Sequence, residues 1–167
     1  MKIDFIIISS ILVIICFLPF ILFPLIGKKE EKSIKNRFKE EALRLGLNLS
    51  YELHWNTNRA GIDILKRQFL FVQKIDMDFE IKQVDLNKVS EIKMQTQTVK
   101  VKQHGQRVEI LSRIELEFYG DNYLPVIVKV FDHDLNYNQD FEIRNTQKLV
   151  AELQKYLIAQ PVLKRTA

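Results

Sequence analysis

The chain changes hydrophobic rhythm twice. From Phe5 to Ile26 it is apolar and uncharged, from Ile34 to Leu45 apolar residues recur at helical spacing, and from Leu47 onward they alternate. An uncharged run of the first kind matches the ~20 residues that a helix needs to cross a hydrocarbon core of about 30 Å. Residues 1–27 therefore read as a transmembrane anchor, with Pro19 and Pro24 expected to kink or end its helix. A cleaved signal peptide would have a shorter apolar run and a small-x-small site. Phe23-Pro24-Leu25-Ile26 offers no such site, and Ile15 spoils Cys16 as a lipoprotein cysteine.

Residues 28–46 read as a juxtamembrane amphipathic helix. Ile34, Phe38, Ala42 and Leu45 form one apolar stripe, and Gly46 suits a C-terminal cap. Lys28, Lys29, Lys32, Lys35, Arg37 and Lys39 follow the apolar run, whereas only Lys2 precedes it. Cytoplasmic flanks carry the Lys/Arg excess, which places the rest of the chain on the cytoplasmic side of a bacterial inner membrane, as a single-pass protein. The stripe has two readings: a surface that grips anionic lipid, or a face packed on the chain's own domain. Glu30, Glu31, Glu40 and Glu41 dilute the positive charge and favour packing.

Residues 47–160 read as one β domain ending in a helix. Leu47, Leu49, Tyr51, Leu53 and Trp55 alternate as a half-buried strand does. Turns are expected at Asn56-Thr57-Asn58, Lys66-Arg67, Asp76-Met77-Asp78, His104-Gly105-Gln106 and Gly120-Asp121-Asn122. In Glu91 to Lys102 the residues Ile92, Met94, Thr96 and Thr98 share one face while Val99 and Val101 fall on the other, a slip that signals a bulge or an exposed edge. Pro125 points to an edge position for Leu124 to Phe131. Asn145 or Thr146 is placed to cap a last helix through Ile158, carrying Leu149, Val150, Leu153 and Leu157, and Pro161 would stop it before the tail 161–167.

The expected class is thus α+β: an anchor, a helix, and a curved antiparallel sheet or barrel of about seven strands capped by a C-terminal helix. The hairpin Gly61-Ile62-Asp63 to Val72, the connection Val84-Asp85-Leu86-Asn87-Lys88-Val89 and the closing helix Gln147 to Leu157 give an element order that resembles the pleckstrin-homology-like fold, in the form of small bacterial membrane-anchored proteins of uncharacterised function. By analogy the resemblance implies an anionic-lipid surface, with Lys28, Lys29, Lys66, Arg67, Lys93, Lys100 and Lys102 as its basic rim.

Composition adds limits. The 167 residues carry a net charge of +4, a mild basic excess, and one cysteine, so no intramolecular disulfide forms. His54, His104 and His133 stand apart, and no zinc, redox, nucleophile-elbow or phosphate-loop motif is present. Asp132 to Asp140 spaces oxygen side chains like a calcium loop, but Tyr137 replaces the required glycine and Ile143 the bidentate Glu. Acidic pairs such as Glu115 and Glu117 have the two-residue spacing of a solvent-facing strand side. Phe69, Phe71, Phe79, Phe118 and Phe131 read as core, and the basic residues are too interrupted for a nucleic-acid surface. No catalytic set, cofactor, metal or small-molecule substrate is indicated. The leading expectation is a non-enzymatic, membrane-tethered module that binds a protein partner, with Tyr51 to Trp55 or Leu124 to Phe131 as the edge. The alternatives are the lipid reader and a small accessory subunit of a larger membrane complex.

Overall fold

The structure is a computed structural model that describes the backbone of residues 2–103, 106–120, 123–135 and 141–157, and side chains within 11–18, 29–102, 107–120, 124–135 and 141–157. Helix α1 spans Lys2–Arg44. Strands β1 (Tyr51–Trp55), β2 (Asn58–Asp63), β3 (Gln68–Ile75) and β4 (Asp78–Asp85) follow, then a 3-10 turn (Leu86–Lys88). After them come β5 (Glu91–Gln103), β6 (Gln106–Gly120), β7 (Tyr123–Asp132) and helix α2 (Glu142–Gln154).

The strands form two antiparallel sheets, ordered β1-β2-β3-β4 and β5-β6-β7. Two-residue hairpins join Trp55 to Asn58 and Ile75 to Asp78, with Asn56 and Asp76 at positive φ, as tight hairpin turns require. The expected single curved barrel is not what forms. Among the described residues no ladder joins the two sheets, because the 3-10 turn breaks the chain between β4 and β5 and sends Leu86 and Val89 into the core. Helix α2 touches β1, β5 and β7, so it seals by packing what a barrel would seal by hydrogen bonds.

The four-stranded sheet is covered on both faces. One face offers Trp55, Ala60, Ile62, Phe69, Phe71 and Val84 to the main core, where they meet Ile92, Ile114, Leu116, Phe118, Val128, Val130 and Phe131 of the second sheet and Leu149 and Leu153 of α2. Its other face sets Leu70 and Val72 against Phe38 and Ala42 of α1, with Leu47, Leu49, Phe79 and Ile81 around them. The stripe Ile34-Phe38-Ala42 therefore packs on the chain's own sheet. Arg59 and Lys74 lie on that same face and reach Glu31 (3.8 Å) and Glu30 (2.7 Å) of the helix. Gly61 is needed at this contact: a Cβ there would stand 2.7 Å from Phe38 Cζ and 2.8 Å from Leu49 Cδ1. Gly46, at φ +61, ends the helix in the left-handed cap that only glycine adopts without cost.

The anchor expected over residues 1–27 is corrected here. Helix α1 runs unbroken through Pro19 and Pro24 into the charged stretch that packs on the sheet. Among the described residues no helix is long and apolar enough to cross a membrane. The single-pass inner-membrane placement is withdrawn with the anchor. The last helix also starts earlier than expected: Phe141, at φ 52, is its N-cap and makes no side-chain cap bond. Thr146 lies inside the helix, its hydroxyl donating to Glu142 O at 2.7 Å.

Candidate functional site

Buried polar groups are the usual start of a search for chemistry, and here the buried carboxylates are each tied into structure, while Asn58 Oδ1 is buried without a partner among the described residues. Glu142 is buried and its carboxylate accepts from Trp55 Nε1 (2.5 Å) and Asn56 Nδ2 (3.2 Å), which pins α2 to the first hairpin. Asp63 accepts the backbone N–H groups of Asn48 (2.8 Å) and Lys66 (2.9 Å), joining the end of α1 to the β2–β3 turn. Burial pushes the Asp63 carboxyl upward, but these backbone donors and the Lys66 charge outweigh it and hold the pKa below the usual 3.8. Glu41, also buried, is clamped between Arg37 (2.7 Å) and Arg44 (2.6 Å). At the end of α2, Glu152 accepts from Lys155 Nζ (2.5 Å) and Tyr156 OH (3.1 Å). The Lys155 bond depresses the Glu152 carboxyl and raises the ammonium, while desolvation and then the Glu152 charge raise Tyr51 beside them. None of these groups pairs a nucleophile with a base. Among the described residues no three His, Cys, Asp or Glu side chains gather as a metal site.

The basic residues of the expected lipid rim are placed apart. Lys66 donates to Gly46 O at 2.5 Å, and Arg67 sits beside it at φ 51 in the β2–β3 turn. Lys93 lies in β5, 3.4 Å from Glu91 and over the ring of Tyr119. Lys100 and Lys102 stand further along β5, near its hairpin end, and Lys29 lines a groove with Lys74, Met77 and Phe79. The Lys28 side chain lies outside the described residues, as do His104, the tail and Asn136 to Asp140 of the calcium-like loop. Asp132 of that loop is held by Arg113 at 3.1 Å.

Comparison with family models, curated proteins and solved structures finds no match. The pleckstrin-homology-like resemblance rests on element order alone, and any functional reading rests on the geometry of this chain.

Sheet edges are where that geometry is distinctive. Strand β1 is an edge, but it has five residues, and Trp55 is buried and bonded to Glu142. Tyr51 is half-buried against α2. Strand β7 is an edge too, with Leu124 87% exposed and Phe131 buried in the core. Its register shifts between Ile114 and Glu115, leaving Val130 as the extra residue of a bulge. The freed Val130 carbonyl accepts from Asn58 Nδ2 and Gln73 Nε2, both at 3.0 Å, so side chains close that end of the edge. Pro125 removes a donor at the other end.

Strand β5 differs from both. It is a 13-residue edge without proline, and every described side chain from Gln95 to Lys102 is exposed. With β6 it forms a two-stranded ribbon that continues past the core, which ends at Ile92 and Ile114. The register slips between Gln97 and Thr98, where Ser112 becomes the extra residue, and this is the place where Val99 and Val101 change face in the sequence pattern. That slip was the available signal for β5. The stronger alternation of Tyr51 to Trp55 and the proline of β7 drew attention to those two of the four edge strands, the others being β4 and β5.

Proposed function

We propose that this chain is a non-enzymatic interaction module that holds a protein partner by adding the partner's strand to the β5 edge. The observation that carries the reading is the run Gln95 to Lys102, part of an edge strand in which every described side chain of that run is exposed. An unpaired edge presents a row of N–H and C=O groups to any extended segment. Folded proteins usually blunt such edges by shortening, proline or bulges, the devices seen on β1 and β7. Leaving β5 long and free of proline has a stability and aggregation cost that a binding role explains.

Site-specific photocrosslinking tests this in the cell that makes the protein. A photoreactive residue at Gln97 of β5 should give a discrete protein adduct, while the same residue at Glu52 of β1 or Lys129 of β7 should not. Equal adducts from all three, or none from Gln97, would reject strand addition at β5.

A further inference from the structure

The ribbon that continues β5 and β6 has two chemically different faces. In register, Val99 stands opposite Ile110 and Val101 opposite Val108. Val99, Val101 and Val108 are 50%, 40% and 39% exposed, so this face is apolar and open. The other face carries Lys100 opposite Glu109 and Lys102 opposite Arg107. Glu109 is engaged by the Thr98 hydroxyl at 2.6 Å. Among the described residues Lys100, Lys102 and Arg107 hold no ion pair. Along the open edge two lysines therefore line one side, with Arg107 and Glu109 behind them on β6, and two valines line the other.

We infer that the segment received by β5 is acidic and extended, alternating apolar residues with carboxylates. This rests on the strand-addition reading and names its partner class. A strand laid beside β5 places its residues alternately on the two faces, directly opposite positions having Cβ atoms about 4.5–5.5 Å apart. Apolar residues at every second position continue the Val99-Val101 surface, and carboxylates at the positions between come beside Lys100 and Lys102. A second copy of this chain is a poorer occupant. The symmetric antiparallel pairing that aligns Val99 of each copy with Val101 of the other sets Lys100 directly against Lys100, and like charges directly opposite are destabilising. The lysines thus disfavour self-pairing and favour an acidic strand with the same side chains.

Fluorescence anisotropy on the full chain tests the inference with three labelled peptides of about eight residues, a length that spans the exposed edge. One alternates valine with glutamate, one valine with serine and one valine with lysine. The acidic peptide should bind about tenfold more tightly than the serine peptide, in keeping with two cross-strand charge pairs, and the advantage should shrink in high salt. The double variant Lys100→Glu/Lys102→Glu should reverse the order in favour of the lysine peptide. An acidic peptide N-methylated at alternate amides should lose binding, since strand addition needs those N–H groups. If the acidic and serine peptides bind equally, the acidic preference is wrong and strand addition survives. If none of the three binds, strand addition itself fails. Equal binding of the N-methylated peptide would overturn the inference by reducing the effect to charge alone. Lys100→Ser/Lys102→Ser gives the last check: unchanged acidic binding with self-association in sedimentation would make the lysines edge guards and nothing more.

Discussion

Strand β3, built on Phe69, Leu70, Phe71 and Val72, and the outer half of β5, built on Gln, Thr, Val and Lys, live in opposite environments. In β3 every residue from Phe69 to Gln73 is buried, because α1 covers one face and the second sheet covers the other. In β5 every described residue from Gln95 to Lys102 is exposed, because the ribbon it forms with β6 runs on past the buried part of the core. The first strand holds the molecule together and the second contributes little to its stability. A fold can carry a long free strand only if its stability comes from elsewhere.

The comparison is broken most severely from the β3 side. Phe71→Ala removes a ring that packs on Trp55 and Phe69, and should cost about 3–5 kcal/mol, read as a fall in the denaturant midpoint. Gly61→Ala drives a methyl into Phe38 and Leu49, an overpacking that should cost about 1–3 kcal/mol and loosen α1 from the sheet.

Asp63→Asn should cost about 1 kcal/mol, because an amide with one acceptor oxygen replaces a carboxylate that accepts two part-buried backbone N–H groups. It also gives a pH signature. The folded pKa of Asp63 lies below its ordinary 3.8, so its contribution is complete above that value and is lost as pH falls through the folded pKa. The loss of stability below 3.8 should therefore be steeper in the parent chain than in the Asn variant, by urea melts across that range. At the small end, Val99→Ser with Val101→Ser should leave stability within about 0.5 kcal/mol, since surface changes away from special features rarely do more. A larger loss would mean that the ribbon is part of the core after all.

What the sequence disclosed follows the same division. Alternation and turn chemistry exposed the hairpins at Asn56-Thr57, Lys66-Arg67 and Asp76-Met77, and helical spacing exposed the packing stripe of α1 and the buried Leu149 and Leu153 of α2. These are local signals, set by residues within a turn or two of each other. The division into two sheets was not legible, because it depends on how one 3-10 turn and α2 fill a gap between distant strands. Buried Glu142, Asp63 and Glu41 were missed for a related reason: a carboxylate reads as surface until its donors are known, and Trp55 lies 87 residues from its acceptor. The apolar N-terminal run was read as an anchor from its length, its lack of a cleavage site and its basic flank, whereas the fold continues it into a helix whose far half packs on the sheet. For the proposed interaction edge, the phase slip at Val99 and Val101 was visible, but not that every described side chain from Gln95 to Lys102 stays exposed.

Amide hydrogen exchange along Gln95 to Lys102, read without and with the valine–glutamate peptide, probes the free edge most directly. Strand addition predicts slowing at every second residue only, since just the N–H groups pointing away from β6 gain acceptors. Unchanged rates along the whole stretch, or slowing confined to β1 or β7, would contradict it.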